Sequence, residues 1–488
     1  MASLFTVGGR PRADIADAVA IGGLALVAAY LGLLSYGLAN WRYESWMLLV
    51  LMPFLMAVGF VIINAVTRLD DDPIRGLLVV AMAAKLGAAF VRYFVTFSLY
   101  GYGDASLYDE RGTEIANAFH NGELSLGELV AFGQGTQFMR GATGFLYTLM
   151  GPTRLGGFVV FSWIGFWGLF LFYRALLIGC PEANHRRYAL GVFLLPSLLF
   201  WPSSIGKEAV MMLALGLCAY GSARLLERRS LWWPTLLAGL GLCYVVRPHV
   251  AVVVLGALAV AVAFRRSRSS QATLGPFGRL LMVGIVAAGM SFVFASTVDR
   301  FLPTSEETGL GAAGQLLEKA EYGTSTEETQ SELRRENPEE SPDEGTPTVN
   351  SPLEYPEAVL SVLFRPWLFE ARTAGDVVAA LETTAVLLLA VLSWRRLKAL
   401  PAIMFRRTYV LFCVVYAGIF TFAWSSFANV GALARQRSQL WPIVFVLLAV
   451  PPARDMAAAR KAEYAQRSTY ARPPRTASHV TGATSSNQ

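Results

Sequence analysis

Cysteine and histidine are scarce in this chain, with four of each among 488 residues. Cys180, Cys218, Cys243 and Cys413 stand far apart, most of them inside apolar runs, and no CxxC-type spacing occurs. Neither a disulfide framework nor a thiol–metal site is therefore indicated. The histidines form no HExxH-type pair. Charge is thin as well: 16% of residues are charged against 54% hydrophobic, and the mean hydropathy is +0.45. A soluble fold could not hide that much apolar surface, which excludes the two soluble domains that length alone would suggest. The polar stretch Met1–Asp17 leads into no short apolar core with a cleavage site, so the first apolar run is expected to stay as an anchor. The formal charge of +6 averages basic loops and one acidic loop and carries no indication of a nucleic-acid partner.

What the chain does have is membrane-length apolar runs. Roughly twelve spans of about 16–24 residues can be laid out, near 18–38, 46–66, 76–99, 154–178, 188–203, 208–225, 231–246, 249–264, 279–298, 376–393, 408–425 and 437–452. The expected fold class is thus an all-α, polytopic membrane helix bundle with juxtamembrane helices outside the membrane. Basic groups fall on alternate loops: Arg10/Arg12, Arg68/Arg75, Arg186/Arg187, Arg228/Arg229, Arg265/Arg266/Arg268, Arg395/Arg396/Lys398, Arg406/Arg407 and the Arg454–Arg475 tail. By the positive-inside rule these loops are cytoplasmic, as are both termini. Arg228/Arg229 and Arg265/Arg266 demand an even number of crossings between them, so 231–264 reads as two short spans turning at Arg247-Pro248-His249. Residues 1–453 form the membrane domain, with extracytoplasmic loops at 100–153 and 300–375. Residues 454–488 form a flexible basic cytoplasmic tail. About 320–350 has the composition of disorder.

Charged residues that break this pattern collect on the opposite, outer face. Ionisable groups near a bilayer are costly, so a one-sided collection of them marks a functional site. The first loop carries Asp104, Asp109 and Glu110 just beyond the third span. A carboxylate there can take a proton from an acceptor hydroxyl or hold a divalent cation beside a phosphate; a helix cap would use the same residues. Ser203-Ser204-Ile205-Gly206-Lys207-Glu208 opens a helix, a seat for phosphate at free N–H groups with Lys207 beside them, or a helix start with a serine cap and Glu208 in its first turn. Arg247 and His249 flank Pro248. Arg435 and Arg437 precede the last span, and arginine suits bidentate phosphate contact. Within the membrane, Lys85 and Arg92 share one face of the third span, with Glu382 as a counter-ion; structural pairing is the expected role.

The first loop resembles that of the type C glycosyltransferases, integral-membrane enzymes that use polyprenyl-phosphate sugars. Arabinose and mannose transferases of that superfamily carry an acidic pair followed by a helix with Ile-Ala, and here Asp109-Glu110 precedes Ile115-Ala116. The resemblance covers this loop and the topology. It departs in placing the loop after the third span rather than the first, and the chain has neither a soluble C-terminal domain nor a WWDYG-like motif. The resemblance implies a bacterial plasma-membrane enzyme that moves a sugar from a polyprenyl-phosphate donor to a glycan or lipid acceptor of the cell envelope. Asp104, Asp109 or Glu110 would be the base, and Lys207, Arg247, His249, Arg435 and Arg437 the donor-phosphate contacts. No cofactor is demanded beyond a divalent cation that the carboxylates could hold. A Wzy-like polysaccharide polymerase or ligase would also present outer-face arginines, without needing an acidic base. A lipid-linked glycan transporter would instead carry charges deep in the spans, where only Lys85, Arg92 and Glu382 stand.

Overall fold

The computed structural model describes residues 43–70, 74–99, 103–227, 232–265, 355–425 and 430–453, with isolated positions between 28 and 40 and between 280 and 289. Every regular element among the described residues is a helix. Five are long and apolar enough to cross a membrane: Met47–Thr67, Arg75–Leu99, Arg154–Gly179, Lys207–Leu226 and Ala374–Leu392. Four shorter apolar helices, Trp232–Val246, Pro248–Ala263, Tyr355–Phe364 and Thr408–Ala423, pack among them. The expected spans at 18–38 and 279–298 fall almost wholly outside the described residues, as do the acidic part of the second loop and the tail from 454.

The bundle has two distinct ends, and side-chain contacts define them. At one end Tyr43 reaches the Met150 carbonyl, Phe97 lies 5.9 Å from Phe158, and His249 lies 5.8 Å from Trp424. At the other, Arg407 pairs with Glu182, Phe264 lies 6.4 Å from Phe405, and the Asn184 N–H donates to the Ala449 carbonyl. The groups around Arg187, Arg396 and Arg407 therefore share one end, while the Asp104, Lys207, Arg247 and Arg435 regions share the other.

The Arg154–Gly179 and Lys207–Leu226 helices form the centre. Their backbones meet at Gly168, where an added Cβ would stand 2.3 Å from the Met212 carbonyl oxygen. Lipid tails offer helices no hydrophobic drive to associate, so close approach over small residues supplies the packing instead. Pro248 opens its own helix after Val246, with Arg247 as the residue between. The proline needs no backbone donor at that first position, and two helices result, as the loop charges require.

The expected span at 188–203 is not one helix. His185–Leu194 stops before Pro196, a five-residue helix Pro196–Phe200 follows, and Trp201–Gly206 is irregular and mostly buried. Non-helical backbone at this depth must find partners within the protein, and the intramembrane charges provide them. Glu382 accepts from the Ser197 N–H at 2.6 Å, and Lys85 Nζ donates to the carbonyls of Leu198 and Leu199 at 2.7 and 3.0 Å. Arg92 lies over the rings of Phe200 and Trp201, at 4.5 and 4.8 Å. Glu382 is thus the partner of a backbone amide rather than the counter-ion of Lys85 or Arg92. All three engage the broken helix rather than one another.

Candidate functional site

Two juxtamembrane helices, Asp104–His120 and Thr136–Met150, pack as a hairpin through Gly112 against Thr143 and Ile115 against Gly144. The hairpin is fastened to the bundle beside Arg247 by a bond from the Gly135 N–H to the Val245 carbonyl at 2.8 Å. Asp104 is the first residue of its helix, and the preceding Gly103 offers no side-chain cap. The Asp104 carboxylate points away from cap geometry and onto Arg435, 2.8 Å away.

Arg435 is the centre of the cluster. Its Nε and Nη2 straddle the Glu208 carboxylate at 2.6 and 3.0 Å, the bidentate fork that guanidinium geometry favours. Glu208 also accepts from Arg247 at 2.9 Å, and that side chain is fully buried while Glu208 is 4% exposed. Four separate segments thus bring one carboxylate–arginine chain together in the order Asp104, Arg435, Glu208, Arg247. The inner members are sealed, whereas Asp104 and Arg435 are each 27% exposed. Burial works against the Arg435 charge, but Glu208 and Asp104 more than offset it and hold its pKa well above the ordinary value. Met212 packs level with Gly168, and Glu208 lies one turn earlier. The cluster is therefore recessed, roughly 15 Å along the helix axis from Arg154 at a rise of 1.5 Å per residue.

Lys207 and His249 are buried next to cluster members in the chain. The helix that Lys207 opens has Gly206 at its cap position and no side-chain capping bond. Ser203, expected as a cap, instead meets the Ser162 hydroxyl at 2.9 Å.

Three other expected residues lie apart from this chain of contacts. Asp109 is buried, accepting from the Tyr147 hydroxyl at 2.6 Å and pairing with Arg154 at 2.7 Å. Burial, then the Asp109 charge, raises the Tyr147 pKa and keeps the phenol a donor. Glu110 is exposed. Arg437 turns away from Arg435 and donates to the carbonyls of Leu363, at 2.9 Å, and Arg365.

Glu208 is the member that motif reading assigned only to a helix start. The available signal was a carboxylate in the first turn of a twenty-residue apolar helix, an expensive position unless paired. Among the described residues, no three of His, Cys, Asp and Glu converge as a metal site would require. The two carboxylates of the cluster share the Arg435 guanidinium, so the arrangement does not fit a divalent cation. Chemically, it offers a reachable carboxylate beside a reachable arginine, with a buried ion pair fixing that arginine from behind.

The chain matches no protein-family model, no curated protein and no solved structure.

Proposed function

We propose that this chain is an integral-membrane glycosyltransferase of the type C kind, transferring a sugar from a polyprenyl-phosphate donor to a cell-envelope acceptor. In this reading about twelve spans lie in a bacterial plasma membrane, both termini are cytoplasmic, and the Asp104 end is extracytoplasmic. The observation that carries it is the contact of Asp104 with Arg435, open to solvent and backed by the buried Glu208–Arg247 pair.

A donor phosphate arriving at Arg435 competes with Asp104 for the guanidinium. The freed carboxylate then accepts the proton of the acceptor hydroxyl, whose oxygen attacks the anomeric carbon as the bond to phosphate breaks. Arg435, held in place by the buried Glu208–Arg247 pair, takes up the charge of the departing phosphate. Such a leaving group is weakly basic and needs no general acid. Asp104 is favoured over Asp109, whose carboxylate is committed to Tyr147 and Arg154.

Convergence of Arg247 and Arg435 on one carboxylate supports a second reading, a polymerase or ligase acting on diphosphate-linked glycans, which needs cations and no base. The transporter reading loses support, since Lys85, Arg92 and Glu382 are all engaged on the 196–201 segment.

Membranes containing the protein should be assayed with a panel of synthetic polyprenyl-phosphate and polyprenyl-diphosphate sugars. Transfer from a monophosphate donor, lost by about 10²–10⁴-fold in Asp104→Asn, is the expected result. Transfer only from diphosphate donors, with Asp104→Asn active within a factor of a few, would reject the reading in favour of the polymerase.

A further inference from the structure

The end of the bundle opposite Asp104 carries cations that the proposed chemistry leaves unused. The Ala374–Leu392 helix stops at Ser393 and is followed by two short helices, Trp394–Leu397 and Leu400–Met404. Ser393, Ala399 and Ile403 face inward, while Trp394, Arg395, Lys398, Phe405 and Arg406 are exposed. Lys398 Nζ lies 5.0 Å from the Trp394 ring, which is 58% exposed. Immediately before it, Leu388, Val391 and Leu392 form an exposed apolar strip on the spanning helix.

Behind this surface stand two arginines held close together. Arg187 donates to the Ser393 hydroxyl and, at 3.4 Å, to the Leu389 carbonyl. Arg396 donates to the Val450 carbonyl at 2.8 Å. All of these acceptors are neutral. The nearby carboxylates, Glu182 and Glu227, both serve Arg407. Among the described residues, no carboxylate pairs with Arg187 or Arg396, and the buried Nε of Arg187 meets no acceptor. Burial, then the like charge of Arg396, lowers the Arg187 pKa. Two half-buried like charges with only neutral acceptors repel each other, and an anion between them relieves that repulsion.

We propose that Arg187 and Arg396, ringed by Arg395, Lys398 and Arg406, seat the phosphate headgroup of an anionic phospholipid. The acyl chains run along Leu388, Val391 and Leu392, and Trp394 marks the headgroup level, where tryptophan is enriched. The apolar strip continuous with the cations is what selects a lipid over free phosphate. This site is independent of the transferase reading and sits at the other end of the molecule.

The test uses the full-length protein in neutral detergent, with lipid binding read by native mass spectrometry and by thermal shift. Dioleoylphosphatidylglycerol should bind at least about tenfold tighter than dioleoylphosphatidylcholine, and inorganic phosphate at matched concentration should not displace it. Arg396→Gln should cut that preference by about fivefold, the worth of one cation beside an anionic headgroup. Because Arg396 also holds the Val450 carbonyl, the exposed double variant Arg395→Gln/Lys398→Gln provides a second measure, with a loss of at least fivefold and unchanged folding. Equal binding of the two lipids, displacement by inorganic phosphate, or an unaltered preference in both variants would each overturn the proposal.

Discussion

Neutralising Glu208 is the sharpest test of the charge cluster. Glu208→Gln keeps the size of the side chain but removes the charge shared by two arginines. The two do not suffer equally. Arg435 retains Asp104 at 2.8 Å and is partly solvated, so its share of the loss is small, about 1 kcal/mol or less. Arg247 is fully buried and loses its carboxylate partner at 2.9 Å. Breaking a buried pair by removing one member typically costs about 3–5 kcal/mol, because the other member keeps its desolvation cost and loses that attraction. At about 2 °C per kcal/mol for a large domain, that is a fall in melting temperature of about 6–10 °C. The assay is built into the chain: all four cysteines are free and buried, so a thiol-reactive dye reports unfolding. Replacing the pair together, as Glu208→Gln/Arg247→Met, should restore most of the loss, since an apolar substitute for a buried ion pair is often neutral in stability. A Glu208→Gln protein melting within about 1 °C of the parent would refute the reasoning, as only surface substitutions are usually so mild.

Three further outcomes are expected. Lys85→Met should lower stability by about 1–3 kcal/mol through the orphaned Leu198 carbonyl, since Leu199 keeps the Ser203 hydroxyl, read by the same dye, and a neutral result would mean that water replaces the ammonium. Asp109→Asn should cost about 1–3 kcal/mol through Arg154 and Tyr147, whereas exposed Glu110→Gln should stay within about 0.5 kcal/mol; the reverse order would remove Asp109 from its structural role. Cysteines introduced as Glu110→Cys and Arg186→Cys should react with an impermeant maleimide from opposite sides of the membrane, the first in intact cells and the second only after permeabilisation. Labelling of both from one side would overturn the two-ended arrangement.

Much of the arrangement was legible because membrane proteins sort their charges by loop. Alternating basic groups separate the two ends, and parity together with the proline's missing donor divides 231–264 at Pro248. The broken helix at 195–206 was not legible as such. Its apolar composition suits a span, and the break shows in the backbone, where the helix ends at Leu194 and Trp201–Gly206 is irregular. Asp104, Arg247 and Arg435 each stand out as outer-face exceptions, but no local pattern indicates that they meet, because their contacts join residues from 39 to 331 positions apart. Arg435 and Arg437 illustrate the limit. Two positions apart on one helix they point in different directions, so one faces Glu208 and the other the Leu363 carbonyl. Glu208 sits in the first turn of a helix, a position that by itself accounts for a carboxylate and so masks its pairing with two arginines.

The half-buried and buried charges of the bundle fall into two kinds, and the difference bears on function. Lys85 and Glu382 are matched to orphaned backbone groups of Pro196–Phe200; remove the helix break and the need for them disappears. Asp104, Arg435, Glu208 and Arg247 are linked to one another, carboxylate against guanidinium. An all-carbon replacement of a buried ion pair would be about as stable, so folding alone gives no reason to assemble such a chain from four separate segments. Nor is the chain closed. Its buried half sets a carboxylate against an arginine, while its outer half ends in a carboxylate and a guanidinium that solvent can reach. A structure that merely hid charge would seal the most mobile members and expose none. Sealing the inner pair and opening the outer one fixes Arg435 from behind while leaving it and Asp104 able to exchange partners, which is what binding an anion beside a proton-accepting carboxylate requires.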